Sequence, residues 1–119
     1  MTIQEIANRL AELCRRGDFD TAQSELFAED AVSIEPHDTP AFQKETKGLK
    51  AMKEKTEKWN AMVEKVSDLT FSEPLIAGNA FACTMHMHVT MKEHGDMDMD
   101  ELCVYTVKVG KIISEQFFM

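Results

Sequence analysis

Cysteine is scarce in this sequence: Cys14, Cys83 and Cys103 are an odd set with no Cys-x-x-Cys spacing. That excludes a disulfide framework and a zinc ribbon, and a reducing compartment fits best. Positive charge is short as well, with 13 Lys and Arg against 21 Asp and Glu and a formal net charge of -8. Even the lysine-rich run KAMKEKTEK carries Glu54 and Glu57, so no basic cluster is free of acids, and neither nucleic acid nor an anionic membrane is a fitting partner. No stretch approaches the roughly 18 apolar residues that cross a bilayer. MTIQEIANRL does not resemble a basic leader ahead of an apolar run, so a soluble, cytoplasmic protein is expected. Repeats and low-complexity segments are also missing.

What is present is enough for one domain. At 119 residues and 44% hydrophobic content, the chain 1–119 can bury a single core and is too short for two. Thr2 followed by Glu5 forms a capping-box pattern, and Ile3, Ile6, Ala7, Leu10, Leu13 and Cys14 recur at helical spacing up to about Arg16, with Gly17 where a helix stops. Asp18 caps a second short helix with Phe19, Ala22 and Leu26 on its inner side, and AVSIEP reads as a strand ended by Pro36. Residues 37–47 read as a loop. From Gly48 a third helix is predicted, with Leu49, Met52, Thr56, Trp59, Val63 and Val66 along one stripe and Lys50, Lys53, Glu54, Lys58 and Lys65 in solvent.

From Ser67 onward the pattern is strand: SDLTFSEPLIA, FACTMHMHVTMK, MDMDELCVYTVK and KIISEQFFM. Helices followed by a meander predict an α+β fold, with the helices on one face of a strongly curved antiparallel sheet. The segment TMHMHVT resembles a metal site, but side chains alternate along a strand, so its methionines and histidines face opposite ways and cannot share one ion. With His94-Gly95 as a two-residue turn, Met87 opposes Leu102, Met85 opposes Val104, His88 opposes Glu101 and His86 opposes Cys103. Val109-Gly110 as the next turn adds Ile113, Glu115 and Phe117 to the methionine face. That face is expected to pack under the helices and line a cavity. The opposite face, with His86, His88, Met97, Met99, Glu101, Cys103, Tyr105, Val107, Ile112 and Phe118, is too apolar for water, so a homodimer through it is expected. A zinc or copper site from His86, His88, Glu101 and Cys103 is weighed against a His88–Glu101 ion pair, which explains the same residues without a metal.

ELCRRGDFDTAQSELFAEDAVSIEP, KGLKAM at the head of a tryptophan-bearing helix, and MDELCVYTVKVGKIISEQFFM resemble, in that order and over nearly the whole chain, the SnoaL-like branch of the nuclear transport factor 2-like superfamily. The resemblance implies a cystatin-like α+β roll: a cone whose curved sheet wraps a long helix, with two further N-terminal helices and a pocket for a small apolar molecule. Many such domains are homodimers through the sheet. Members include polyketide cyclases, ketosteroid isomerases, dehydratases, epoxide hydrolases and domains that only bind or dimerise, so function must be carried over residue by residue.

In the isomerases the strand resembling AVSIEP ends in a carboxylate that acts as general base, and Glu35 holds that place here. Glu115 matches a polar pocket position of SnoaL-like cyclases. The pair implies a cofactor-independent isomerase, cyclase or lyase acting on a small carbonyl compound; the alternative is a non-catalytic binding or dimerisation module. The isomerases' second acid falls near Val104, and the only tyrosine, Tyr105, is placed on the opposite face. His37, Trp59, Met85, Met87, Leu102, Val104 and Phe117 are the expected pocket walls, and no metal or organic cofactor is implied.

Overall fold

Thr2 starts the first helix as its pattern predicts: its hydroxyl accepts from the Glu5 amide at 3.2 Å, and the Glu5 carboxylate accepts from the Thr2 amide at 2.8 Å. The computed structural model describes residues 1–119. Its elements are α1 (Ile3–Arg15), α2 (Phe19–Leu26), β1 (Phe27–Ile34), β2 (Glu45–Lys47), α3 (Leu49–Met62), β3 (Val63–Phe71), β4 (Leu75–Ala77), β5 (Ala80–Met91), β6 (Gly95–Lys108) and β7 (Lys111–Phe118). Gly17, at φ 72, takes the left-handed position that ends α1, and the Asp18 side chain accepts from the Thr21 amide to start α2.

The architecture is α+β, as expected, with one seven-stranded sheet in the order β2-β1-β7-β6-β5-β3 and β4 beside β5. The sheet is mixed rather than wholly antiparallel, because β1 runs parallel to β7. Register shifts in β1, in β3 and between β6 and β7 mark bulges, which bend a sheet and increase its twist. Ile6, Leu10 and Leu13 of α1, Leu26 of α2 and Met52 of α3 are buried against Phe81, Cys83 and Val89 of the sheet. No helix is long and apolar enough to cross a membrane.

Four sequence expectations need correction. Residues 37–47 are not all loop: Glu45–Lys47 pair with β1. The third helix stops at Met62, and Val63 and Val66 belong to β3, opposite Met91 and Val89; pairing along β5 prevails over a helical stripe that no breaker residue ends. SDLTFSEPLIA is two strands parted at Ser72–Pro74. The fourth correction concerns register and is the largest.

Lys92, Glu93 and His94 form a three-residue connection, and Gly95 at φ 72 pairs with Met91. Every partner on β6 is therefore three positions from the expected one. Met87 faces Met99, Met85 faces Glu101, Cys83 faces Cys103 and Phe81 faces Tyr105. An odd shift exchanges the two faces of a strand. Met99, Glu101, Cys103, Tyr105 and Val107 thus lie inside, while Leu102 and Val104 move to the outer face. A further one-residue shift between β6 and β7 pairs Tyr105 with Glu115 and Cys103 with Phe117. The two offsets cancel for β7, so Glu115 and Phe117 share the inner face with Met85 as expected.

Candidate functional site: a methionine-walled cavity with buried carboxyls

Between the inner face of the sheet and the helices lies a cavity of about 410 Å³. Glu35, just past the end of β1, lines it, with Ser33 buried two residues before on the same side; β6 supplies Met97, Met99, Glu101, Cys103 and Tyr105, and β7 supplies Glu115 and Phe117. Its walls are mainly apolar, from Phe27, Phe71, Met85, Met87 and Trp59, and His37 and Phe42 stand at its edge. A second depression, of about 510 Å³, lies on the other side of Trp59; its polar lining, with Arg15, Arg16, Asn60, Ser67 and Asp68, is exposed, and no buried carboxyl faces it.

The polar groups of the cavity form a connected chain. Ser33 Oγ donates to Glu115 Oε1 at 2.8 Å, Lys55 Nζ donates to Ser33 Oγ at 2.9 Å, and the same ammonium reaches Glu35 Oε1 at 2.9 Å. Glu35 and Glu115 are thus brought together through two intermediates, Ser33 and Lys55, neither of which was foreseen. Lys55 lies three residues after Met52 and four before Trp59, inside the apolar stripe of α3, and that position was the available signal.

Burial pushes the Glu115 carboxyl up to about 7, with Glu35 adding to the rise while the Ser33 hydroxyl and Lys55 pull the other way. Burial also pushes Glu101 up to about 7, helped by the charges of Glu35 and Glu115 and opposed by Lys55. Two carboxyls in one apolar cavity are therefore poised to exchange a proton near neutral pH. No side-chain hydrogen bond engages Glu101. Burial raises the thiols of Cys14, Cys83 and Cys103, which disfavours their thiolate forms.

The expected pocket residues divide. Trp59, Met85, Met87, Phe117 and His37 line the cavity, whereas Leu102 and Val104 do not, because the register of β6 turns them outward. The expected dimer residues divide the other way. Met99, Glu101, Cys103 and Tyr105 are inside; Tyr105 stacks on Phe81 at 5.0 Å. Val107 and Ile112 are buried in the core as well. His86, His88 and Phe118 remain on the outer face.

The proposed metal block is split by the same register, since Glu101 and Cys103 lie on the face opposite His86 and His88. No group of three or more His, Cys, Asp or Glu side chains is placed to hold an ion. Nor does His88 pair with Glu101. His86 Nδ1 lies 2.7 Å from Asp100 Oδ1 and His88 Nδ1 lies 3.0 Å from Asp98 Oδ1. The hydrogen bond to Asp100 raises the His86 pKa above its ordinary value, with the charges of Asp100, Asp98 and Asp68 acting the same way.

The model of the SnoaL-like domain family matches residues 1–119. A candidate SnoaL-like polyketide cyclase of Mesorhizobium loti is 34% identical, with 100% of both chains covered and a TM-score of 0.93. A Catenulispora acidiphila protein of ketosteroid isomerase-like fold, in complex with trimethylamine, is 18% identical over 99% of this chain and 87% of its own, with a TM-score of 0.74. TerC, co-crystallised with polyporic acid, is 15% identical over 97% of this chain and 88% of its own, with a TM-score of 0.77. No curated protein sequence matches the chain.

Proposed function

The chain belongs to the SnoaL-like domain family, and from that premise we propose that its cavity binds a small, largely apolar carbonyl compound and moves a proton on it without a cofactor. The reaction would be of the isomerase, cyclase or lyase type. One observation carries this reading: Glu115, with its carboxyl raised to about 7, is wired through Ser33 and Lys55 to Glu35. A carboxyl near neutral pH both takes and returns a proton at useful rates. In this reading Glu115 is the proton carrier, Glu35 holds Lys55 in place through their contact at 2.9 Å, and Ser33 and Lys55 are positioning residues.

The general-base role expected of Glu35 now shifts toward Glu115, because Glu35 is bound by an ammonium at 2.9 Å. The Mesorhizobium loti relative, a candidate polyketide cyclase, belongs to the same class of reaction. The relatives that hold trimethylamine and polyporic acid support a small-molecule cavity, and they differ enough that the fold alone does not choose the ligand.

The Lys55–Glu35 pair also favours a second reading, in which the network is structural and the cavity binds a ligand without turning it over. Exchange of α-protons with D2O, followed by proton NMR on cyclohexanone and 2-tetralone, separates the two. Catalysis predicts exchange by the wild-type protein and a loss of about 100-fold or more in Glu115→Gln. Equal exchange by both proteins above the buffer rate would remove Glu115 as the proton carrier, and none by either leaves binding as the function.

The reading includes a homodimer through the outer face of the sheet. Its basis is narrower than the sequence implied: Leu102 and Phe118, partners across β6 and β7, are 42% and 48% exposed.

A further inference from the structure

The exposed members of the cavity lining are His37, Thr39, Met97 and Met119, so the mouth lies among them. His37 and Thr39, with the half-buried Pro36 and Phe42 of the same lining, belong to one segment, residues 36–44, that joins β1 to β2. No residue of this segment is buried, and none belongs to the core or packs against it. A segment with so few buried apolar contacts stands at the low end of local stability and opens more readily than the sheet behind it.

Its own bonds hold it together as a unit. The Glu35 amide donates to the Lys44 carbonyl at 2.6 Å and closes its base. The Thr39 amide donates to the Phe42 carbonyl at 2.8 Å, and the Lys44 amide donates to Asp38 Oδ1 at 2.6 Å. Pro36 and Pro40 stiffen it further by fixing φ. One side chain ties it to the body of the molecule. Lys58 of α3 donates from Nζ to the Ala41 carbonyl, and the same ammonium stands 5.2 Å from the centroid of the Phe42 ring. No other hydrogen bond runs from residues 36–43 to a helix or strand.

We propose that residues 36–44 form a strap that opens as a unit about Glu35 and Lys44 to admit the ligand and closes with Phe42 over the mouth, and that Lys58 is its latch. This rests on the reading that the cavity takes a small ligand and adds how that ligand enters; it does not depend on proton transfer by Glu115. Lys58 is not part of the cavity lining, so it acts on the ligand only through the strap. A latch of this kind holds the strap whether the cavity is empty or filled. Loosening it therefore speeds entry and exit together and leaves affinity nearly unchanged.

The cysteines supply a test that needs no ligand, because Cys14 and Cys103 line the cavity while Cys83 is buried outside its lining. Methyl methanethiosulfonate labels accessible thiols, and peptide mass spectrometry gives the initial rate at each. Labelling of Cys103 should quicken about fivefold in Lys58→Met, as loss of an exposed cation–ring contact allows. It should also quicken in Phe42→Ala and stay near the wild-type rate in Lys58→Arg, which keeps the charge and the donor. Cys83 reports unfolding of the whole domain and should keep its rate throughout. Unchanged labelling of Cys103 in Lys58→Met and Phe42→Ala, or a quickening shared by Cys83, would overturn the strap. Stopped-flow fluorescence of Trp59, the one tryptophan, with 2-tetralone adds the ligand. Both rate constants should rise about fivefold in Lys58→Met, with Kd changed by less than about twofold. Quickened labelling without any binding of 2-tetralone upholds the strap and removes that ligand class. Binding at the same rates in both proteins, with labelling unchanged, keeps the ligand and removes the strap.

Discussion

Ser33 on β1 donates to Glu115 on β7 across 2.8 Å, although 82 positions separate them in sequence. The parallel pairing of the two strands places the residues side by side, and the bond is buried. Since this hydroxyl pulls the Glu115 carboxyl down from where burial alone would hold it, Ser33→Ala should raise the carboxyl further. The variant should also lose about 1–2 kcal/mol of stability in urea denaturation. An unchanged Glu115 titration in Ser33→Ala would show that the hydroxyl does not orient it.

Glu101 gives a prediction of opposite sign for stability. Its carboxyl is near 7 in the folded protein, against an ordinary value of 4.5. A group raised in this way contributes stability that is complete below its unfolded value and is lost as pH rises through its folded one. Wild-type stability should therefore fall between about 4.5 and about 7, on the order of 3 kcal/mol from this group. Glu101→Gln removes the buried charge without deleting a hydrogen bond. It should flatten that fall, raising Tm above neutral pH and changing it little in acid.

Lys55 draws two carboxyls downward, Glu101 and Glu115. In Lys55→Met both should titrate at higher pH, and Glu35, only 24% exposed at its side chain, should lose its partner. The expected loss of stability is about 1–3 kcal/mol at neutral pH, shrinking in acid as the carboxylates are protonated. Denaturation at two pH values checks both statements.

On the outer face, Leu102 and Phe118 are the large apolar side chains left in solvent across β6 and β7. Leu102→Glu should convert the proposed dimer to monomer in sedimentation, leaving the cavity and its ligand binding unchanged. A monomeric wild-type protein would rule the dimer out.

Much of the fold was legible where local chemistry decides it. The capping box of Thr2 and Glu5, the stop at Gly17, the Asp18 cap and the turns before β5 and β7 all act over a few residues, and the structure shows each of them. Register was not decided locally. A two-residue turn at His94-Gly95 was compatible with the sequence, but it placed Asp98 and Asp100 on the buried face opposite Met91 and Val89. Burying carboxylates without partners is costly, and Asp96, Asp98 and Asp100 alternate with Met97, Met99 and Glu101. That alternation was the signal for the observed connection, which leaves the three aspartates exposed.

The site followed the register. Glu115 and Phe117 fell on the right face because two offsets cancelled, while Glu101, Cys103 and Tyr105 were placed on the wrong one. Lys55 and Ser33 were missed for a different reason. A lysine inside the apolar stripe of a helix carries no mark of burial unless its position relative to Met52 and Trp59 is weighed first, and a strand serine carries none until its face is known.

Proton exchange near neutral pH by the carboxyls of this cavity is open to direct measurement. Carbon-13 NMR titration of the glutamate side-chain carboxyls, with Glu101→Gln and Glu115→Gln to assign the resonances, reports it. The resonances lost in those two variants should titrate near 7, the values to which burial raises them. Midpoints near the ordinary 4.5 for both would contradict proton exchange in this cavity at neutral pH.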